Sequence, residues 1–160
     1  MAARRRSKAC VLGLRFSNSD YTWVVLKGTK ESPTVCASGG AKMPKGLHRP
    51  QTLSWFCQEI ELLISQNGCT KICIKNTEAM ARKGNTYEMR VEHEAAAFIA
   101  AANHGIKSVF KKVNATIAKD MGLKGKGKYL KTFDTSPIAD FDQRTGKEQD
   151  AIMAAWSELP

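Results

Sequence analysis

Ala9-Cys10-Val11-Leu12-Gly13-Leu14-Arg15-Phe16-Ser17-Asn18-Ser19-Asp20-Tyr21-Thr22-Trp23-Val24-Val25-Leu26-Lys27 is the stretch whose reading decides the fold. Residues 9–16 form a short apolar run with β-branched content, which predicts a first strand. Ser17-Asn18-Ser19-Asp20 is a turn cluster, and residues 21–27 predict a second strand ended by Gly28. The chain turns again around Lys30-Glu31-Ser32-Pro33, and residues 34–38 predict a third strand before Gly39-Gly40. Turns this short between apolar runs imply an antiparallel meander.

Outward from the meander the period changes. Arg49-Pro50-Gln51-Thr52 opens a helix with proline in a favoured early position. Leu53, Phe56, Cys57, Ile60, Leu63 and Ile64 recur at helical spacing, and Gly68 stops the helix. Residues 71–74 predict a fourth strand, apolar enough to be central, and residues 76–86 an exposed basic loop. Residues 87–103 predict a helix with a small-residue packing face at 94–102, stopped by His104-Gly105. Residues 106–110 predict a fifth strand, and residues 113–121 a short helix capped by Asn114. Residues 123–146 are polar and rich in Lys, Gly and Asp, too long for an ordinary connection and so functional or mobile. Residues 147–159 predict a last helix, with Ile152, Met153 and Trp156 on one face. The order βββ-α-β-α-β-α-α gives an α/β chain: a mixed five-stranded sheet flanked by helices, the ribonuclease H-like arrangement with strand 4 parallel to strand 1.

Composition bounds the rest. With 160 residues the chain fits one domain, predicted over residues 9–160 behind a basic arm at residues 1–8. The arm either lies along nucleic acid or is a solubilising tail. Lys plus Arg is 25 against 15 for Asp plus Glu, a net charge of +10, which favours a polyanionic partner. No stretch approaches the roughly 20 apolar residues of a membrane span, and the N-terminus lacks the form of a signal peptide. Five cysteines, an odd number without a Cys-x-x-Cys pair, argue against a disulfide framework or a zinc site and for a reducing, cytoplasmic compartment.

The residues also carry a resemblance. Val11-Leu12-Gly13-Leu14-Arg15-Phe16-Ser17 followed by Tyr21-Thr22-Trp23-Val24-Val25 resembles the opening of RuvC-type Holliday-junction resolvases. Ile72-Cys73-Ile74-Lys75 looks like their fourth strand, residues 90–102 like the helix that follows, and Lys147-Glu148-Gln149-Asp150-Ala151-Ile152-Met153-Ala154-Ala155 like their last helix. The Ile-Lys end of strand 4 and the Glu94-Ala95-Ala96 helix are also similar to a small group of uncharacterised bacterial proteins. The match spans most of the chain in element order, with short motifs.

The resemblance implies acids at the ends of strand 1, strand 4 and the last helix, holding two divalent cations about 4 Å apart that activate water. Here strand 1 carries Arg15 and strand 4 carries Lys75, while in the last helix Asp150 matches and Lys147 stands a turn earlier. A cation there removes a hard oxygen ligand and repels the metal by several kcal/mol at an effective dielectric of about 20. The expectation is therefore a degenerate nuclease fold with no catalytic residue, no metal and no cofactor, binding nucleic acid, DNA ahead of RNA. Glu94, Glu148 and Asp150 form a residual acidic site. Two readings stay open: a divergent magnesium-dependent nuclease with acids at Asp20, Glu148 or Asp150, and a protein-binding scaffold with a packed former active site. A homodimer is implied by the resemblance alone.

Phosphate contacts are expected from Arg15, Lys75 and Lys147 at the sheet end, from Arg82 and Lys83 after strand 4, and from Arg90, Lys111 and Lys112. The competing reading of the first group is a salt-bridge cluster of Arg15 and Lys75 with Asp150 and Glu94. Lys124-Gly125-Lys126-Gly127-Lys128-Tyr129-Leu130-Lys131 is the strongest local charge feature. Its alternating Lys and Gly suit a flexible loop that follows a phosphate backbone, with Tyr129 stacking on a base. His48, His93 and His104 share no metal-binding spacing, and Trp23, Trp55 and Trp156 read as core anchors.

Overall fold

The computed structural model describes residues 9–78 and 81–160, so the basic arm and two residues of the predicted loop after strand 4 lie outside the described residues. The three meander strands are β1 (Cys10–Phe16), β2 (Asp20–Gly28) and β3 (Pro33–Lys42), followed by β4 (Lys71–Lys75) and β5 (Val109–Lys112). They form one sheet in the order β3-β2-β1-β4-β5. The β1–β2 and β2–β3 pairs are antiparallel, and the β1–β4 and β4–β5 pairs are parallel. The α-helices among the described residues are α1 (Arg49–Asn67), α2 (Asn85–Asn103), α3 (Asn114–Asp120) and α4 (Gly146–Trp156). This is the ribonuclease H-like arrangement expected from the element order.

Alternation along the strands divides the core in two. Leu12, Leu14, Phe16, Tyr21, Val25, Ile72 and Ile74 face α1 and α2, meeting Phe56, Ile60 and the alanines at 96, 97, 100 and 101. Val11, Val24, Leu26 and Cys73 face the other way, against α3 and the apolar side of α4 through Ile117, Ala151, Ile152, Ala155 and Trp156. Arg15, two residues beyond Gly13 on the same side of β1, thereby points toward the start of α4.

Gly13 sets how closely α4 approaches. A Cβ there would lie 2.1 Å from the carbonyl oxygen of Ala151 and 2.9 Å from the Ala155 methyl. Only glycine lets the helix backbone rest on the strand, and this contact brings Asp150 beside Arg15.

Several boundaries move relative to the sequence reading. β3 runs on through Gly39-Gly40 to Lys42, because its partner β2 supplies a ladder along that whole length, with a bulge opposite Val25 and Leu26. β5 starts three residues later than expected, since its register on β4 pairs Ile72 with Val109 and Lys75 with Lys112. The predicted cap of α3 also shifts: Val113 occupies the N-cap without a side-chain bond, and the Asn114 backbone N–H donates to Glu78 Oε1 at 2.9 Å. Within the long polar segment the chain makes two short 3-10 turns, Gly127–Thr132 and Phe141–Gln143. Trp156 is the deepest of the three tryptophans, while Trp23 and Trp55 are half-buried at the edge of the α1 side.

Candidate nucleic-acid interface

The carboxyl ends of β1, β4 and β5 and the first turns of α4 converge at one end of the sheet. Arg15 Nε donates to Asp150 Oδ2 at 3.1 Å, with side chains 21% and 38% exposed. Lys147 Nζ lies 2.8 Å from both oxygens of Asp20 on the strand beside it. Burial pushes the Asp20 carboxyl up, but hydrogen bonds from Lys147 and Ser17 outweigh it and hold the group below the usual carboxylate range.

Lys75 is almost fully buried, and its ammonium donates to Glu78 Oε1 and to the Asn76 carbonyl, each at 2.8 Å. Glu78 also accepts from the start of α3, so one carboxylate ties the end of β4 to that helix. Its burial is again outweighed by Lys75 and the Asn114 N–H, which lower its pKa. Glu94 is buried in α2; Oε1 takes Arg90 Nε at 3.2 Å and Oε2 lies 2.6 Å from Lys111 Nζ. Arg90 also donates to the Lys75 carbonyl at 2.9 Å. Burial and the nearby Arg15 charge lower Arg90, against the pull of Glu94 and Asp150.

Five cations (Arg15, Lys75, Arg90, Lys111, Lys147) thus meet four carboxylates (Asp20, Glu78, Glu94, Asp150), and every cation has an acid. The cluster carries a net charge of about one, far less than the five cations alone suggest. The salt-bridge reading describes Arg15 and Asp150, but Lys75 takes Glu78, and Glu94 takes Arg90 and Lys111. Lys112 faces away from this cluster: it is buried, donates to Ser157 Oγ at 3.1 Å, and is paired with Asp120 and Glu158. Burial lowers its pKa, and the two carboxylates raise it by more. Lys75 and Lys112 therefore have no open path to a phosphate.

Glu148, expected in a residual acidic site, is engaged elsewhere. It forms the capping box of α4, accepting from the Thr145 N–H at 2.8 Å while Thr145 Oγ1 accepts from the Glu148 N–H. Among the described residues no three His, Cys, Asp or Glu side chains are grouped to hold a metal ion. The two-metal arrangement implied by the resemblance does not fit this donor set, since the two strand-end positions present an ammonium and a guanidinium.

The free cations lie elsewhere. Lys124, Lys126, Lys128 and Lys131 are exposed on the segment that packs against α3, and none makes an ion pair among the described residues. Tyr129 sits between Lys124 and Lys128, whose ammonium groups lie 5.9 and 5.3 Å from its ring centre. Arg82 and Lys83 are exposed just before α2, with Lys83 6.0 Å from the Tyr87 ring.

One unforeseen contact supports the site from behind. His93 is fully buried in α2, stacked 4.1 Å from Phe56. Its Nε2 faces Arg49 Nη1 at 2.7 Å, and its Nδ1 faces the Ser17 carbonyl at 2.8 Å. A guanidinium only donates, so Nε2 accepts and Nδ1–H donates, which fixes a neutral tautomer. Burial keeps its pKa below the ordinary histidine value. This clasp has no sequence signal, because its partners Arg49 and Ser17 stand on another helix and in a loop, and the tie from Glu78 to the start of α3 has none either.

Two solved structures of Thermus thermophilus RuvC match the chain. One, bound to a Holliday-junction substrate, superposes with a TM-score of 0.69 at 10% identity, covering 93% of this chain and 91% of that one. The other matches with a TM-score of 0.70 at 11% identity over 92% of each. The fold is that of the RuvC-type resolvases. The yeast mitochondrial Holliday-junction resolvase Ydc2 is a third likeness, with a TM-score of 0.64 at 9% identity over 93% of this chain and 77% of that one. No protein-family model and no curated protein matches the sequence. At such identities the RuvC-like likeness is one of backbone, and the side chains at the sheet end have to be read on their own.

Proposed function

We propose that the protein is a non-catalytic nucleic-acid-binding protein on a degenerate RuvC-like fold. The observation that carries this reading is the occupancy of the strand-end positions. Arg15 and Lys75 stand where two-metal chemistry needs acids, each closed into an ion pair, while a separate row of lysines has no ion pair among the described residues. A metal brought to Asp150 would meet the Arg15 guanidinium, and one unit charge opposes another by about 4 kcal/mol at 4 Å and an effective dielectric of 20.

In this reading Lys124, Lys126, Lys128 and Lys131 follow the phosphate backbone, Tyr129 stacks on a base, and Arg82 and Lys83 extend the contact past α2. Arg15, Arg90, Lys111 and Lys147 shape the sheet end and contribute at its rim, where their side chains are partly exposed. DNA is proposed ahead of RNA, because one similar structure is a complex with a Holliday junction. A homodimer extends the reading; its best-suited face lies on α1 and α2, where Leu62, Phe98 and Ile99 are exposed. Among the described residues no helix is long and apolar enough to cross a membrane, and a cytoplasmic setting accords with five free thiols.

The test is a titration of labelled duplex DNA across a range of salt. Affinity is expected to fall steeply with salt, and replacing Lys124, Lys126, Lys128 and Lys131 by alanine should reduce the log–log slope by about 3 to 4. A slope unchanged by the four substitutions would place the contact elsewhere, and salt-independent binding would favour the protein-binding scaffold.

A further inference from the structure

A cavity of about 400 Å³ opens beside Asp150, between α4, the start of α3 and the two 3-10 turns. That size lies within the range of about 300–1,000 Å³ typical of small-molecule sites. Its apolar walls come from Leu130, Phe133, Phe141 and Met153. Phe133 is held edge-on to Trp156 at 5.2 Å, and Trp156 is itself anchored through Nε1 to the Lys30 carbonyl at 2.9 Å. Gly127 lets the first turn close over α3, since a Cβ there would lie 2.8 Å from the Asn114 Cβ. The Phe133 wall is therefore held from behind.

The polar lining comprises Asn114, Thr135 and Lys131, which carry donors, and an acceptor group of Gln149, Asp150 and Asp142. Gln149 uses its amide nitrogen on the carbonyls of Phe141 and Arg144, at 2.9 and 3.2 Å, which leaves its side-chain oxygen as the free atom. Asp150 gives Oδ2 to Arg15, and Oδ1 has no partner among the described residues. Asp142 also lines the cavity and has no partner among those residues. Two carboxylates repel a phosphate, and an aliphatic guest would leave these acceptors unmatched. What fits is a flat ring with N–H donors along one edge. Lys131 stands at the same lining, with the lysine row beyond it.

We propose that this cavity takes one unpaired nucleobase, guanine best of the four, with its phosphates left outside on the lysine row. Guanine presents two adjacent donors, N1–H and N2–H, on an edge that is free only when the base is unpaired. Thymine has a single N–H between two carbonyls, which a carboxylate wall disfavours. This inference rests on the nucleic-acid reading above and deepens it.

The experiment uses oligothymidylate strands identical except for one central position, guanine or abasic, and a duplex of equal length, by fluorescence anisotropy at one salt concentration. The guanine strand should bind about tenfold more tightly than the abasic one. Met153→Trp, which fills the cavity from α4, should erase that ratio while leaving duplex affinity unchanged. Asp142→Asn, on the exposed rim, should also reduce the ratio and does not depend on repacking the core. Equal binding of the two strands alongside normal duplex binding would overturn this inference alone. Failure of all three nucleic acids to bind would overturn the nucleic-acid reading and this inference with it.

Discussion

Arg15 and Asp150 meet because nothing larger than a hydrogen atom separates β1 from α4 at Gly13. Gly13→Ala would force a methyl group into the Ala151 carbonyl. Overpacking of this kind costs about 1–3 kcal/mol, and the clash is with backbone that cannot swing aside. A lowered denaturation midpoint with an unchanged slope is expected, and unaltered stability would show that the two elements are not in contact. His93 makes a second claim at this scale. Its folded-state pKa is depressed below 6.5 by burial, so the unfolded chain binds its proton more readily. The associated stability is present above pH 6.5 and is lost as pH falls below it. Urea midpoints between pH 7 and 5 should fall further for the native chain than for His93→Gln, and parallel profiles would contradict the neutral clasp with Arg49 and Ser17. The Arg15–Asp150 pair was legible from sequence alone, whereas the partners of Lys75 and Lys147 were not. Glu78 and Asp20 lie on or beside loops, whose paths no periodicity encodes.

At the scale of elements, α4 carries the site and its N-terminus fixes where the site stands. The Thr145–Glu148 capping box satisfies the first donors of the helix. Thr145→Ala should lower stability by about 0.5–2 kcal/mol, read as a shift in thermal midpoint, and no shift would argue that Glu148 is free for other duties. The strand and helix order was readable from turn chemistry and from the switch between two- and 3.6-residue periods, because local residues decide both. Strand ends were less so. The extension of β3 through Gly39-Gly40 and the late start of β5 follow from ladder partners far along the chain, and a register is a property of two strands. Asn114 as a cap failed for a similar reason, since Glu78 had already reached that N–H from the end of β4.

For the whole molecule, the net charge of +10 is unevenly distributed. At the sheet end cations and carboxylates nearly cancel, whereas the lysine row by α3 carries four cations without an ion pair among the described residues. A RuvC-type backbone thus presents a filled, paired centre beside an unpaired cationic surface. The pairing matters more than the count, because a cation held by an adjacent carboxylate releases few counterions when DNA arrives. The measurement that tests this most directly is incubation of a labelled four-way junction and a matching duplex with the purified protein at low salt. Magnesium or manganese is added to one set and chelator to the other. The account predicts salt-sensitive binding and intact DNA in every lane. Metal-dependent cleavage that disappears in Asp150→Asn would contradict it, by showing that a carboxylate beside Arg15 still holds a catalytic ion.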